Sequence, residues 1–269
     1  MIKISELYIY PVKSLSGIQI QTSELTPFGL KYDRRWMLVD ANGRFITQRE
    51  NARLATIQTQ IQDNQLVLSY QNSEIQVPDV DEKNAEQIEV TIWKDSFNAM
   101  LVSNEVDEWL SDYLNMNCRL VYMSDNTQRQ IDRDYAEKNQ FVSFADGFPI
   151  LLVSQSSLDD LNSRLTQKIN INRFRPNIVV TGTNAYAEDD WSELSVNELN
   201  FKAVKKCARC IIPSINQTSG VQDRKEIIAV LNQYRKVDKK IYFGQNVICQ
   251  NVEKISCPSI SCGDLINLK

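Results

Sequence analysis

Residues 36–47, Trp36-Met37-Leu38-Val39-Asp40-Ala41-Asn42-Gly43-Arg44-Phe45-Ile46-Thr47, place two apolar runs on either side of a short polar break. Asn and Gly readily supply the positive φ angles of a tight reversal, so the segment predicts a β-hairpin. Working outward, apolar alternation recurs at Ile2–Tyr10, Leu66–Tyr70, Ile88–Trp93 and Asn98–Val102. Period-two alternation in short runs is the signature of half-buried strands, which therefore dominate the first hundred residues.

The second half adds strand candidates at Ile150–Val153, Ile178–Thr181, Leu199–Val204, Phe243–Gln250 and Asp264–Leu268. Three helices are expected. One follows Ser103-Asn104, where Val106, Trp109, Leu110, Tyr113 and Leu114 repeat at helical spacing. A second covers Ser157–Leu165 with Ser156-x-x-Asp159 resembling a capping box, and a third starts at Asp223 with Ile227, Ile228, Leu231 and Tyr234 facing inward. The polar stretch Ser124–Gln140 reads as a loop, either a lid or a surface excursion. Strands outnumber helices and do not alternate with them, so the fold class is mainly β (α+β), with barrel-like or sandwich-like halves and peripheral helices.

Composition narrows the function. The chain has 269 residues, no histidine, six cysteines and a formal net charge of -4. The missing histidines remove Ser-His-Asp and Cys-His catalysis, His-ligated haem and most zinc-hydrolase sites. No apolar run approaches the roughly 18 to 20 residues that span a bilayer, and the N-terminus lacks a signal-peptide pattern. Cysteines without an export signal are expected to stay reduced, which predicts a cytoplasmic protein with no membrane contact. The negative balance, with no basic stripe interleaved with aromatics, argues against nucleic acid as a partner.

Cys207-Ala208-Arg209-Cys210 follows a strand and is flanked by Lys205 and Lys206. Neighbouring cations favour a thiolate, the form that binds metal. An inert pair of buried thiols is the plain alternative. A four-thiolate zinc or iron-sulfur site using Cys257 and Cys262 is another, and so is a fold carrying a structural zinc. Cys118 and Cys249 lie in apolar runs and read as core. Lys13-Ser14 ends the first strand, and Arg34-Arg35 opens the hairpin with guanidinium forks suited to phosphate or carboxylate. Arg173, Arg175 and Asn177 precede the strand at Ile178, where alternation sends all three to one side.

In this combination and order the segments resemble the MOSC-domain proteins of the mitochondrial amidoxime reducing component family and its bacterial relatives. The resembling stretches are Tyr10–Gly17, Asp33–Asp40, Phe45–Glu50, Phe144–Asn162, Arg173–Val180, Ala185–Trp191, Cys207–Cys210 and Phe243–Asn246, nearly the whole chain. The resemblance implies an N-terminal MOSC β-barrel-like domain over residues 1–120 and a MOSC domain over residues 121–269. It implies a molybdenum cofactor (Mo-molybdopterin) with Cys210 as the metal ligand. Lys13, Ser14, Arg34, Arg173, Arg175, Asn177 and Arg209 are then expected to bind the cofactor, and Asp146 to lie beside it as a second catalytic group.

The implied reaction reduces N-hydroxylated small molecules such as amidoximes, hydroxylamines or N-hydroxylated bases. Because the sequence ends at Lys269, just after the last strand, electrons are expected from a separate protein: a ferredoxin, a cytochrome b5-like protein or a flavoprotein reductase. The family is also described by pyridoxal phosphate binding, and related domains end molybdenum cofactor sulfurases. Cofactor delivery or sulfur carriage without reductase turnover is therefore the alternative function. Cys257 and Cys262 match none of these motifs.

Overall fold

The computed structural model describes residues 1–269. Seven strands close a barrel in the order Ile150–Ser154, Ile178–Thr181, Ile2–Ile9, Leu265–Leu268, Glu193–Val196, Leu199–Ala208 and Lys240–Cys249, the last pairing back to the first. Closure is made by Ile150 opposite Val247 and Leu152 opposite Gln245. It leaves no sheet edge to template unwanted pairing. Pairing is antiparallel except between Ile150–Ser154 and Ile178–Thr181, where Leu152 faces Ile178 in parallel register. The helix Gln155–Ser163 lies in that connection, since a parallel pair cannot be joined by a tight turn.

The first strand takes its partners from the far end of the chain. Lys3 pairs with Thr181 on one side and Leu265 on the other. A cut after residue 120 would part this strand from both neighbours. Inward-facing Ile4 and Leu7 join Leu152, Ile178, Val180, Phe201 and Val247 in the barrel core. Burying a side chain of this kind contributes about 1.5–3 kcal/mol, so the barrel holds the N-terminal strand firmly.

The other half is built around a four-stranded sheet in the order Trp36–Val39, Arg119–Tyr122, Asp95–Leu101 and Gln87–Ile92. The helix Asn104–Leu114 buries Val106, Leu110 and Leu114, the inner stripe its spacing predicts, while Trp109 and Tyr113 flank it half-exposed. The 36–47 hairpin forms, with Val39 opposite Phe45 and the Asp40 carbonyl accepting from Gly43 N at 3.0 Å. Gly43 alone of its turn takes a positive φ, 74°, and a Cβ there would meet the Glu89 carbonyl oxygen at 2.2 Å.

Two local expectations change. The second helix is capped by Ser154, whose hydroxyl accepts from Ser157 N at 3.1 Å, in place of the box at Ser156. Ser156 instead donates to the Thr183 carbonyl at 2.7 Å. The 124–140 stretch is a loop, but an anchored one: Ile131 and Arg129 are buried, and Ile131 N donates to the Gln140 carbonyl at 2.9 Å.

Candidate active site

Barrel strands and the loops that flank them supply most groups of the main cleft, which encloses about 750 Å³. Lys13 and Ser14 follow the first barrel strand, Arg175 and Asn177 lead into the strand Ile178–Thr181, and Arg209 and Cys210 leave the strand Leu199–Ala208. The backbone at three of these positions is held in the left-handed region, with φ of 71° at Ser14, 50° at Arg34 and 54° at Arg175. Non-glycine residues adopt that region at a cost, and such strain gathers where a site must be shaped.

Four basic groups converge. Lys13, only 6 % exposed, donates to the Phe144 carbonyl at 2.8 Å and to Asp146 Oδ1 at 2.6 Å. Burial pushes its ammonium down to about 8 against the pull of Asp146. Arg34 and Arg175 lie over the buried Tyr10 ring at 4.5 and 4.2 Å, and Arg34 Nη1 also donates to Asp33 at 2.6 Å. Burial lowers Arg175 to about 10, and its Nη2 is buried without a partner. Arg209 donates to Cys207 Sγ at 3.1 Å and to the Phe174 carbonyl at 2.8 Å, while its Nε is buried and unpaired. Orphaned guanidinium nitrogens cost stability, so their presence on the cleft wall suits an anion that accepts from them.

Asp146 reaches the same cleft with its side chain 53 % exposed. Burial opposes its ionisation, but Lys13 and Arg49 outweigh that and hold its carboxyl well below the usual range. Asn177 lines the cleft with its amide engaged in the frame: Oδ1 accepts from Leu151 N and Arg34 Nη1, each at 3.1 Å, and Nδ2 donates to the Tyr8 carbonyl at 3.2 Å. Cys210 is half-buried on the cleft wall and unbonded to any other cysteine.

Arg173 is not among these groups. It lies in a short 3-10 helix, Ile171–Phe174, so strand alternation does not apply, and its guanidinium turns away to Asp223 at 2.8 and 3.1 Å. Its neighbour Arg175 reaches the cleft only because the chain reverses at its left-handed φ. Lys206 likewise turns to Asp189, 3.3 Å away, and Lys205 sits 4.1 Å over the Tyr135 ring.

Arg49 is the group that residue types alone did not single out. Its guanidinium donates to Asp146 Oδ2 at 3.0 Å and lies beside the Cys210 side chain. Burial lowers its basicity, but the acidic partners Asp146 and Cys210 outweigh that and raise it overall. Residues 48–50 form a turn after the hairpin, so no strand periodicity pointed to Arg49. Arg129 was also unremarked; it is buried and braces the loop by donating to the Ser143 and Ala145 carbonyls at 2.7 and 2.5 Å.

No group of three or more cysteine or acidic side chains is placed to hold a metal, so the four-thiolate centre with Cys257 and Cys262 does not form, nor does a structural zinc of that kind. Cys257 is exposed, and Cys262 contacts the Ile20 carbonyl. Cys118 is core, with its thiol pushed up to about 11 by burial, whereas Cys249 is only half-buried. No helix is long and apolar enough to cross a membrane.

Comparison with known proteins gives the family. Residues 1–117 match the MOSC N-terminal beta barrel domain and residues 139–267 the MOSC domain. The mouse mitochondrial amidoxime-reducing component 1 is 32 % identical over 87 % of this chain and 72 % of its own length. The bovine mitochondrial amidoxime reducing component 2 is 32 % identical over 97 % of this chain and 81 % of its own. A rice molybdenum cofactor sulfurase is also 32 % identical over 90 % of this chain, which spans about a third (32 %) of that longer protein. The chain belongs to the two-domain MOSC family that includes the amidoxime-reducing components.

Proposed function

We propose that this protein binds a molybdenum pterin cofactor in the main cleft and reduces N-hydroxylated small molecules with electrons from a separate redox protein. The observation that carries the reading is Cys210, an unpaired thiol on the wall of a cleft into which Lys13, Arg34, Arg49 and Arg175 also project. The donor set fits the group. Cationic side chains with unpaired nitrogens suit a phosphate, and a thiol suits a soft metal position. Lys13, Ser14, Arg34, Arg175 and Arg209 would hold the phosphate and pterin, Asn177 would frame them, and Cys210 would ligate the metal.

When bound, the cofactor supplies two-electron redox chemistry. The substrate's N–O bond breaks, two electrons arrive from the donor, and two protons complete the reduced N–H product, an amidine from an amidoxime or an amine from a hydroxylamine, and a molecule of water. The chain's part is orientation and proton supply. Asp146 is ionised at neutral pH, so it accepts hydrogen bonds and steadies Lys13 and Arg49, and does not act as an acid. Lys13, lowered to about 8, has an Nζ that can release a proton near neutrality. Six free thiols accord with a reducing, cytoplasmic setting.

Similarity to the sulfurase favours a second reading, in which the protein delivers cofactor or sulfur without turnover. Elemental analysis of native protein, followed by benzamidoxime reduction with reduced viologen, tests both. About one molybdenum per chain with turnover, both lost in Cys210→Ser and largely kept in Cys207→Ser, is the expected result. Molybdenum without turnover favours delivery, and wild-type molybdenum content and rate in Cys210→Ser would overturn the ligand assignment.

A further inference from the structure

Trp93 is the one aromatic side chain that is both mainly exposed, at 55 %, and part of the cleft wall. It is the first of two residues joining the strands Gln87–Ile92 and Asp95–Leu101, whose register pairs Asp95 with Ile92. Its φ is 54°, a conformation that a two-residue hairpin loop ordinarily fills with glycine or asparagine. A bulky residue there is a backbone outlier held in place by its neighbours, and such strain gathers at functional positions. Exposure adds a second cost, since the indole's large apolar surface remains in water.

The surroundings fix where the ring stands. It packs edge-to-face with Phe45, centroids 5.0 Å apart at 66°, and the Arg49 guanidinium covers one face of the ring 5.0 Å from its centroid, which leaves the opposite face to the open side. Arg49 in turn reaches Asp146 and Cys210. The loop is held as well: Lys94 is 3.8 Å from Asp132, and Asp95 accepts from Arg129 Nε at 3.0 Å. The indole is thus a braced plane, one residue removed from the thiol that the proposed function makes the metal ligand. Further along the cleft wall Tyr135 and Phe148 form an edge-to-face pair 5.7 Å apart.

We infer that Trp93 is a specificity-determining residue: an aromatic platform on which the flat ring of an aryl N-hydroxylated substrate stacks while its N–OH group points inward past Arg49. The inference rests on the proposed function for the reaction and on the cleft geometry for the contact. Ring stacking of this kind changes affinity by about three- to tenfold, and an aliphatic substrate without a ring gains none of it.

The test uses the molybdenum-loaded protein with reduced viologen and compares benzamidoxime with acetamidoxime. Trp93→Ala and Trp93→Asn should raise the ratio of the benzamidoxime KM to the acetamidoxime KM about three- to tenfold, with kcat for benzamidoxime changing less than the KM. Trp93→Phe should restore most of the wild-type ratio. Asparagine accepts the left-handed φ, so Trp93→Asn keeps the loop conformation and separates lost stacking from a damaged hairpin. An unchanged ratio in both variants, or equal losses for the two substrates, overturns the platform. Calorimetric titration with benzamidoxime, without a reductant, gives an independent readout. Wild-type binding that weakens in Trp93→Asn without any turnover would retain the platform and sink the reductase reading. Turnover with binding insensitive to Trp93 would do the reverse.

Discussion

Lys13 Nζ and Asp146 Oδ1 meet at 2.6 Å, and the pair is lopsided, because the ammonium is buried while the carboxylate side chain is half exposed. Burial takes the lysine from an ordinary 10.5 to about 8, so between those values the unfolded chain binds a proton that the folded chain lacks. Stability attributable to this group therefore rises with pH across that window, and its burial cost is fully present below about pH 8. Compared with Lys13→Met, the wild type should gain on the order of 3 kcal/mol between pH 8 and 10.5. Urea midpoints of both proteins at pH 7.5 and 10.5 give the comparison; parallel pH profiles would show that Lys13 is not depressed.

The turn of the 36–47 hairpin supplies a stability test independent of function. Gly43 has a φ of 74° and no room for a Cβ against the Glu89 carbonyl, so Gly43→Ala should destabilise by more than about 1 kcal/mol. Asn42 is not in the left-handed region, and Asn42→Ala should cost less. Thermal unfolding of the two variants measures the difference, and equal melting temperatures would contradict the close approach.

That contrast shows how far residue types carry. The hairpin, six of the seven barrel strands and the inner helix stripe were legible because period and turn chemistry are local. The closing of the barrel was not: no local signal says that Lys3 lies between Thr181 and Leu265. Short strands such as Thr22–Thr26, Gln58–Gln62 and Glu193–Val196 carry too few large apolar groups to announce themselves. In the cleft, Cys210, Lys13 and Arg175 could be named from motifs, whereas Arg49 acquires its meaning only from the fold that sets it against Asp146. Arg173 failed for the converse reason, since its alternation was inferred for backbone that is helical.

Arg173 should therefore behave as a structural residue. Its pair with Asp223 ties the residues ahead of Arg175 to the loop after Cys210, with Asn216 also donating to Asp223 at 3.1 Å. Asp223 is held below the ordinary carboxyl value, first by the Arg173 hydrogen bond, so this contribution is present at neutral pH and is lost as pH falls through the acid range. Arg173→Ala should lower unfolding free energy by about 1.5–3 kcal/mol at pH 7, with a smaller difference at pH 3. Chemical denaturation at the two pH values checks this, and an undiminished difference at pH 3 would exclude the ion pair as its source.

Arg49 should do the opposite, affecting the site more than the fold. It donates to Asp146 and lies beside Cys210, yet its ion pair spans a half-exposed carboxylate, a kind of contact worth little to stability. Its value lies in the charge it places next to the thiol proposed as metal ligand, since a thiol sheds its proton to bind metal. Arg49→Gln keeps length and a donor but removes that charge. Loss of one charged hydrogen bond weakens binding by about 1.5–3 kcal/mol, roughly ten- to a hundredfold. After gel filtration, the molybdenum-to-protein ratio of Arg49→Gln should fall well below that of wild type, while the melting temperature of metal-free protein stays close. If the metal ratio is retained and the melting temperature falls instead, Arg49 is a brace for the hairpin and not a partner of the thiolate.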